Sequence, residues 1–314
     1  KFEFPSGAKH ILQTLTDTGY EAYLVGGCVR DLLRGVEPHD WDICTSARPE
    51  KTEICFANHR ILEPGLKHGT VIVLEEDEPY EITTYRTEGP YSDSRRPDYV
   101  KFVSSLEADL ARRDFTMNAI AMGLDGSLED PFGGVDDIRA RLVRCVGEPA
   151  RRVQEDGLRG MRALRFGVVF GYEIEEKTAQ AIHENRHMLE HVAAERINVE
   201  LCKLLIGEKA GDILRQYPDV LYEFWPDLGP LVTLEQHNPW NCWGGWEHTI
   251  HTVEAAPPDL VLRLTMLLHD IGKPNCKSTD EKGIDPGPEV GQVLESLLER
   301  VLNGEIQNMN RMCC

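Results

Sequence analysis

Between Tyr23 and Ile43 the sequence YLVGGCVRDLLRGVEPHDWDI holds a glycine pair, Gly26-Gly27, an arginine–aspartate pair, Arg30-Asp31, and two aspartates one residue apart, Asp40 and Asp42. If Asp40 to Ile43 is a strand, alternation puts both carboxylates on one face and Trp41 and Ile43 on the other. Two acids held together repel at neutral pH and become tolerable beside a divalent cation. Oxygen-ligand Mg²⁺ sites use one or two carboxylates together with substrate phosphates. The glycine pair lets the backbone approach a phosphate closely, just ahead of an amphipathic run, Val29 to Leu33, that can start a helix. A phosphate cradle followed by a carboxylate pair points to nucleotidyl transfer.

Further residues could complete that chemistry. Glu81, in YEITTYR, supplies a third carboxylate able to activate an attacking hydroxyl, or else a cross-strand partner for a basic residue. In RRDFTMN, Arg112 and Arg113 can reach a triphosphate or ribose. Asp114 and Asn118, one helical turn apart, can hold a sugar hydroxyl, unless Asp114 is simply a helix cap. EDGLRGMRALRF, Glu155 to Phe166, reads as a helix on which Asp156 and Arg159, three apart, share a face. An acceptor and a forked donor side by side can read the Watson–Crick edge of a base, and the plain alternative is an intrahelical ion pair. In WEHTIH and LLHDIGKP, His248, His269 and Asp270 resemble part of a His/His-Asp metal site of the hydrolase kind. No histidine follows Asp270, so this second site is expected to be incomplete and inactive.

These residues need elements to hold them. Ile11, Leu12 and Leu15 share one face of a helix from about Pro5 to Gly19. A strand from Tyr20 to Val25, a helix to Arg34 and a second strand from Asp40 to Thr45 follow, then a helix started by Ser46-Ala47-Arg48-Pro49. Val71–Leu74 and Tyr80–Tyr85 form a hairpin across the acidic turn Glu75–Pro79. Arg86 to Tyr99 is polar, lacks periodicity and reads as a loop or lid. Arg112 begins a helix that Ala119 to Met122 continue. Beyond about Asp136 the pattern is helical nearly to the end. The expected class is α+β: a mixed-sheet head followed by an all-helical C-terminal part.

The chain has 314 residues and a net charge of −19. That charge argues against nucleic-acid binding, but it is uneven. From Arg139 to Arg165 the bases Arg139, Arg141, Arg144, Arg151, Arg152, Arg159, Arg162 and Arg165 outnumber Glu148, Glu155 and Asp156. The stretch is a solvated helix face or a phosphate-binding patch. Nine scattered cysteines without a CxxC spacing fit reduced thiols and a cytoplasmic location. No apolar run is long enough to cross a membrane. The first residue is Lys1 rather than Met, as expected of a fragment or a processed chain.

The motifs LVGGCVRDLL with HDWDI, EITTYRTE, RRDFTMNAIA, DPFGG, EDGLRGMRALRF and ERINVEL resemble, in this order, those of bacterial class II tRNA nucleotidyltransferases. These are the CCA-adding enzymes, with the bacterial poly(A) polymerases as close relatives. The resemblance runs from about Tyr20 to Leu201. It implies a polymerase-β-like head over residues 1–137, a helical neck over 138–200 that selects the base, a helical body over 201–237 and a partial HD-like region over 238–314. It implies Mg²⁺ on Asp40 and Asp42, and Gly26, Gly27 and Arg30 facing the triphosphate. Arg112, Asp114, Asn118, Asp156, Arg159 and Arg162 would surround the nucleotide, with Asp156 and Arg159 choosing C or A without a template.

The implied partners are the tRNA 3′ end, CTP and ATP. The Arg86–Tyr99 stretch matches the loop needed for terminal A addition, which favours CCA or A addition over CC alone. After His248–Pro274, the stretch Thr279–Gly283 passes quickly into DPGPEVGQVLESLLERVLNGEI, as if a segment near 280–290 were missing, so that neither tRNA-elbow binding nor phosphohydrolase activity is expected from it. The rival readings are a poly(A) polymerase or A-adding enzyme, an HD phosphohydrolase with a vestigial head, and a non-catalytic RNA-binding protein.

Overall fold

A computed structural model describes residues 2–65, 69–89, 99–234 and 243–276, with backbone alone at 63–65 and 275–276. The central part of the expected loop, the segment near 280–290 and the C-terminal stretch lie outside the described residues. By internal contacts the chain divides into two compact units. The first comprises Lys1–Asp156 with Glu173–Thr178, and the second Gly157–Tyr172 with Ala179–Cys314.

In the first unit, helix α1 (Ser6–Asp17) buries Ile11, Leu12 and Leu15, the three residues on its expected apolar face. Strand β1 (Ala22–Val25) leads through Gly26 into α2 (Gly27–Leu33), and β2 spans Asp42–Thr45. Asp40 lies in a bend before β2 and is exposed. The strand is therefore shorter than expected, and alternation does not place Asp40 beside Asp42. Pro49 occupies the first turn of α3 (Pro49–Cys55), where its missing N–H costs nothing. Arg48 stands at the cap position, whereas the Ser46 hydroxyl accepts from the Glu21 N–H instead.

Strands β3 (Arg60–Gly65), β4 (Thr70–Glu75) and β5 (Glu78–Thr84) follow. The β4–β5 turn has Glu76 and Asp77 both at positive φ, 51° and 66°, as a tight two-residue hairpin requires. Strands β6 (Arg86–Glu88) and β7 (Val100–Phe102) pair with each other. Helix α4 (Leu106–Ala111) is capped by the Ser105 side chain, and short strands β8 (Ala121–Met122) and β9 (Leu128–Glu129) complete the sheet. Its order is β3-β4-β5-β2-β1-β8-β9, mixed, with β2 and β5 parallel.

The two faces of this sheet differ. Cys44, Val25 and Tyr85 enter one apolar cluster with Leu110, Ala119, Ala121 and Val146. Ile43, Val73 and Ile82 point the other way, toward the side on which α1 and α3 lie.

One expectation fails between Arg112 and Met122. No helix continues there. A 3₁₀ turn at Thr116–Asn118 leads into β8. Phe115, Met117, Ala119, Ile120, Ala121 and Met122 are all fully buried, and the unbroken apolar run Ala119–Met122 carries no period that separates helix from strand. Helices α5 (Gly134–Ala140) and α6 (Pro149–Glu155) close the unit, together with a parallel pair, β10 (Leu142–Val143) and β11 (Glu173–Ile174).

The rest of the described chain is helical: α7 (Leu158–Phe170), α8 (Glu176–Glu184), α9 (Ala194–Leu205), α10 (Ala210–Gln216), α11 (Pro218–Phe224), α12 (Gly229–Val232), α13 (Gly245–Ala255), α14 (Leu260–Leu268) and α15 (Lys273–Cys276). In the second unit α7 packs on α9, and α13 on α14 and α10. Buried Arg263 of α14 donates to the carbonyls of Leu205 and Gly207 at 2.7 and 2.6 Å. It thereby satisfies acceptors that the end of α9 leaves open. Among the described residues no helix is long and apolar enough to cross a membrane. The chain thus has the expected α+β class, a mixed-sheet head followed by helices.

Candidate active site

Asp42 is the first residue of β2 and pairs in register with Glu81 of the parallel neighbour β5. Both side chains leave the sheet on the face of Cys44, Asp42 half-buried and Glu81 exposed. Burial, the Glu81 charge and, more weakly, Asp40 push the Asp42 carboxyl up to about 6, with Arg113 acting in the opposite direction.

Gly26 turns the chain between β1 and α2 with φ at 77°, a conformation that favours glycine. A Cβ there would stand 3.1 Å from the Arg113 Nη1 and 4.0 Å from the Asp42 Oδ2. The turn, the carboxylate and the guanidinium therefore converge on one spot. Gly27 is the first residue of α2, with the Arg30 side chain over it.

A polar chain runs alongside. Arg30 donates to Asp31 at 3.0 Å and to the Asn118 Oδ1 at 2.8 Å. Asn118 donates to the Asp114 Oδ1 at 3.0 Å, and the same oxygen accepts from the Phe115 N–H. Asp114 and Asn118 therefore meet across a 3₁₀ turn rather than along the expected helix. Arg112 points to Asp109 and Glu88, at 3.0 Å each. It is Arg113 whose guanidinium comes to Gly26.

Sequence reasoning missed Asp109. This fully buried carboxylate holds Arg112, Arg113 and the Arg86 N–H. Its spacing of three and four residues from the two arginines on a helical stretch was the available clue. Burial opposes the charge on Arg113, and Asp109, Cys44 and Asp42 outweigh it, raising its pKa.

Asp156 and Arg159 were expected on one helix face, and the structure corrects this. Asp156 is extended, with φ −145° and ψ 107°, and α7 starts only at Leu158. Asp156 belongs to the first unit; Arg159, buried in the first turn of α7, and Arg162 belong to the second. Arg162 lies 5.5 Å from the centre of the Phe166 ring. Several arginines of the basic stretch are engaged by acids: Arg144 by Asp137, Arg151 and Arg152 by Glu155, and Arg165 by Glu200.

The histidine motifs do come together. The His248 and His269 Nε2 atoms are 3.4 Å apart, and each approaches the Asp270 Oδ2, at 3.5 and 3.2 Å. The Lys273 ammonium takes the same oxygen at 2.5 Å. Burial lowers the His248 pKa. For His269 burial is outweighed by its bonds to Asp270 and the Met266 carbonyl, which raise it.

The Asp42–Glu81 side of the sheet fits a hard divalent cation. Its donors are oxygens, and burial and mutual repulsion crowd the negative charge there. Asp40, Asp42 and Glu81 are not among the trios of ligand-type side chains that fall within 4.8 Å of one another, so a cation there calls for substrate oxygens as well.

Residues 22–144 match the family model described as the poly A polymerase head domain, and residues 171–217 match the probable RNA and SrmB-binding site of polymerase A. A CCA-adding enzyme from Lactobacillus helveticus is 48% identical over 233 residues, 74% of this chain and 58% of that protein. One from Bacillus cereus is 54% identical over 265 residues, 82% of this chain and 66% of that protein. The chain thus spans about half to two thirds of the length of the curated relatives it matches. The crystal structure of the Bacillus stearothermophilus CCA-adding enzyme in complex with CTP superposes with a TM-score of 0.61 at 31% identity, covering 95% of this chain and 93% of that one. With motif order, mixed-sheet head and relatives in agreement, the chain belongs to the bacterial class II tRNA nucleotidyltransferase family, which unites CCA-adding enzymes and poly(A) polymerases around a polymerase-β-like head.

Proposed function

We propose that the chain adds C and A nucleotides to the 3′ end of tRNA from CTP and ATP, without a nucleic-acid template. The observation that carries this reading is the in-register pair Asp42 and Glu81 beside the Gly26 turn and Arg113. In the proposed step the 3′-hydroxyl oxygen of the tRNA bonds to the α-phosphorus. The bond from that phosphorus to the oxygen bridging to the β-phosphate breaks, and pyrophosphate leaves. Glu81, exposed next to Asp42, accepts the hydroxyl proton.

Asp40 and Asp42 would hold Mg²⁺, which when bound supplies positive charge to the phosphates and acidifies the hydroxyl. The backbone at Gly26 and Gly27 admits the triphosphate, and Arg113, with Arg30 and Arg112, offsets its charge. Asp114 and Asn118, already joined to each other, hold the ribose. Asp156 would offer the base an acceptor, and Arg159 and Arg162 would offer forked donors.

The four-part division at 1–137, 138–200, 201–237 and 238–314 and a cytoplasmic location belong to the same reading. The five cysteines whose side chains are described, Cys28, Cys44, Cys55, Cys145 and Cys202, are free thiols, which suits a reducing compartment. The His248–His269–Asp270 cluster is read as no second active site, because the Lys273 ammonium already neutralises Asp270.

The test is extension of a tRNA lacking its last three nucleotides with CTP alone, ATP alone and both together. Two additions with CTP and three with both, followed by arrest, support CCA addition. A long A tract would reassign the chain to poly(A) synthesis, and no incorporation would contradict the reading.

A further inference from the structure

Glu75, the last residue of β4, stands on the opposite face of the sheet from the Asp42–Glu81 pair. Ile72 is the register partner of Glu81, and Glu75 is three residues further along the strand, on the other parity. Two other elements bring imidazoles to it. The His10 Nδ1, from α1, is 3.1 Å from Oε1, and the His59 Nε2, from just beyond α3, is 2.8 Å from Oε2. One ligand atom from each of the three residues lies within 4.8 Å of the others. We propose that His10, His59 and Glu75 bind a divalent transition metal of the zinc class, on the side of the head away from the nucleotide.

The donor set selects that class. Two imidazole nitrogens and one carboxylate oxygen suit zinc, whereas magnesium and calcium prefer oxygen alone. Ligands bonded at about 2.0–2.2 Å around a tetrahedral ion stand roughly 3.3–3.5 Å apart, so the two contacts need only small adjustments to accommodate it.

The orientation of the groups points the same way. Despite its 2.8 Å approach to His59, the Glu75 Oε2 is buried without a hydrogen bond. The ring nitrogen is therefore directed past the carboxylate oxygen rather than at it. Ligands of a shared ion have this relationship, since each lone pair is aimed at the metal and not at its neighbour.

The three residues are also held in place. The His59 N–H donates to the Phe56 carbonyl at 2.8 Å, and its ring meets the Phe56 ring edge-on at 5.5 Å. Glu75 is fixed in the β4–β5 ladder beside the two-residue turn, and the Ser6 hydroxyl at the start of α1 donates to Glu76 across 3.0 Å. The His10 side chain is 50% exposed, which opens the site to solvent and leaves a position for water. An ion there would tie α1, the end of α3 and β4 together and stabilise the head by linkage.

The experiment uses the full chain, stripped with a chelator and titrated with Zn²⁺ against a chromophoric competitor. Wild type is compared with His10→Ala, Glu75→Gln and His269→Ala, the last controlling for the other histidine cluster. Glu75→Gln preserves shape and His10 is exposed, so circular dichroism should show both variants folded. The expected result is one equivalent fewer in His10→Ala and Glu75→Gln than in wild type and His269→Ala. That equivalent should raise the wild-type Tm by about 2–5 °C and leave Glu75→Gln unmoved. Equal stoichiometry in wild type and both variants would overturn the proposal. So would a Co²⁺-loaded chain whose extra equivalent shows thiolate-to-metal absorption, because cysteines would then be the ligands.

Discussion

Asp42 and Glu81 face each other across two parallel strands, 39 residues apart in sequence and adjacent in register. The connection between β2 and β5 consists of α3 and the β3–β4 hairpin arm, and the parallel pairing brings the second carboxylate to the first. The cost of that arrangement is visible in the Asp42 carboxyl, pushed up to about 6 by burial and then by Glu81.

This cost sets a pH dependence in the metal-free chain. A carboxyl raised from 3.8 to about 6 binds its proton more tightly when folded, so its favourable contribution is complete below about 3.8 and is lost as pH rises through 6. Measured in chelator, the wild type should lose about 1–3 kcal/mol relative to Asp42→Asn between pH 4 and pH 7. Parallel stability curves for the two proteins across that range would count against it.

Gly26→Ala tests the convergence at the turn. The added methyl must occupy a positive-φ position and stand 3.1 Å from the Arg113 Nη1. We expect a loss of about 1–2 kcal/mol of stability and a much larger loss of incorporation, since the guanidinium is displaced from the phosphate path. The check is chemical denaturation alongside single-turnover kinetics. Incorporation reduced no more than stability predicts would show that the turn has only a structural part.

How far this site could be read from sequence depends on the kind of signal. The strands that carry Asp42 and Glu81 and the turn at Gly26 were legible because β-rich runs and glycine pairs mark them locally, whereas the register that joins the two carboxylates was not. Asp40 was misplaced because β2 starts two residues later than the Asp-x-Asp pattern suggests. The stretch from Phe115 to Met122 was misread as helix because full burial erases periodicity. Asp109, which holds both arginines, and the approach of Arg113 rather than Arg112 to Gly26 follow from tertiary packing that no local spacing shows. The Asp156–Arg159 spacing looked helical, yet Gly157 separates them and the helix begins after it.

Asp156→Ala addresses base choice. If its carboxylate reads the base edge, the preference for CTP and ATP over UTP and GTP should fall by roughly 10-fold or more, while tRNA affinity stays within about twofold. Competition between nucleotides in one reaction and a separate tRNA-binding titration measure the two. An unchanged preference would remove Asp156 from base selection.

Arg263→Met concerns the second unit alone. The substitution leaves the Leu205 and Gly207 carbonyls without their buried guanidinium donor and should cost about 2–4 kcal/mol. Thermal unfolding followed by a probe in the helical part checks it. A loss below 0.5 kcal/mol, on the order of an ordinary surface change, would mean that water replaces the donor.

The most direct test of the account is single-turnover addition of CMP to tRNA lacking its 3′ end, comparing wild type with Asp42→Asn and Glu81→Gln. Wild type should add CMP, Asp42→Asn should add none detectable, and Glu81→Gln should react about 10²–10⁴-fold more slowly, all three proteins keeping the same circular dichroism. Incorporation by folded Asp42→Asn at the wild-type rate would contradict it.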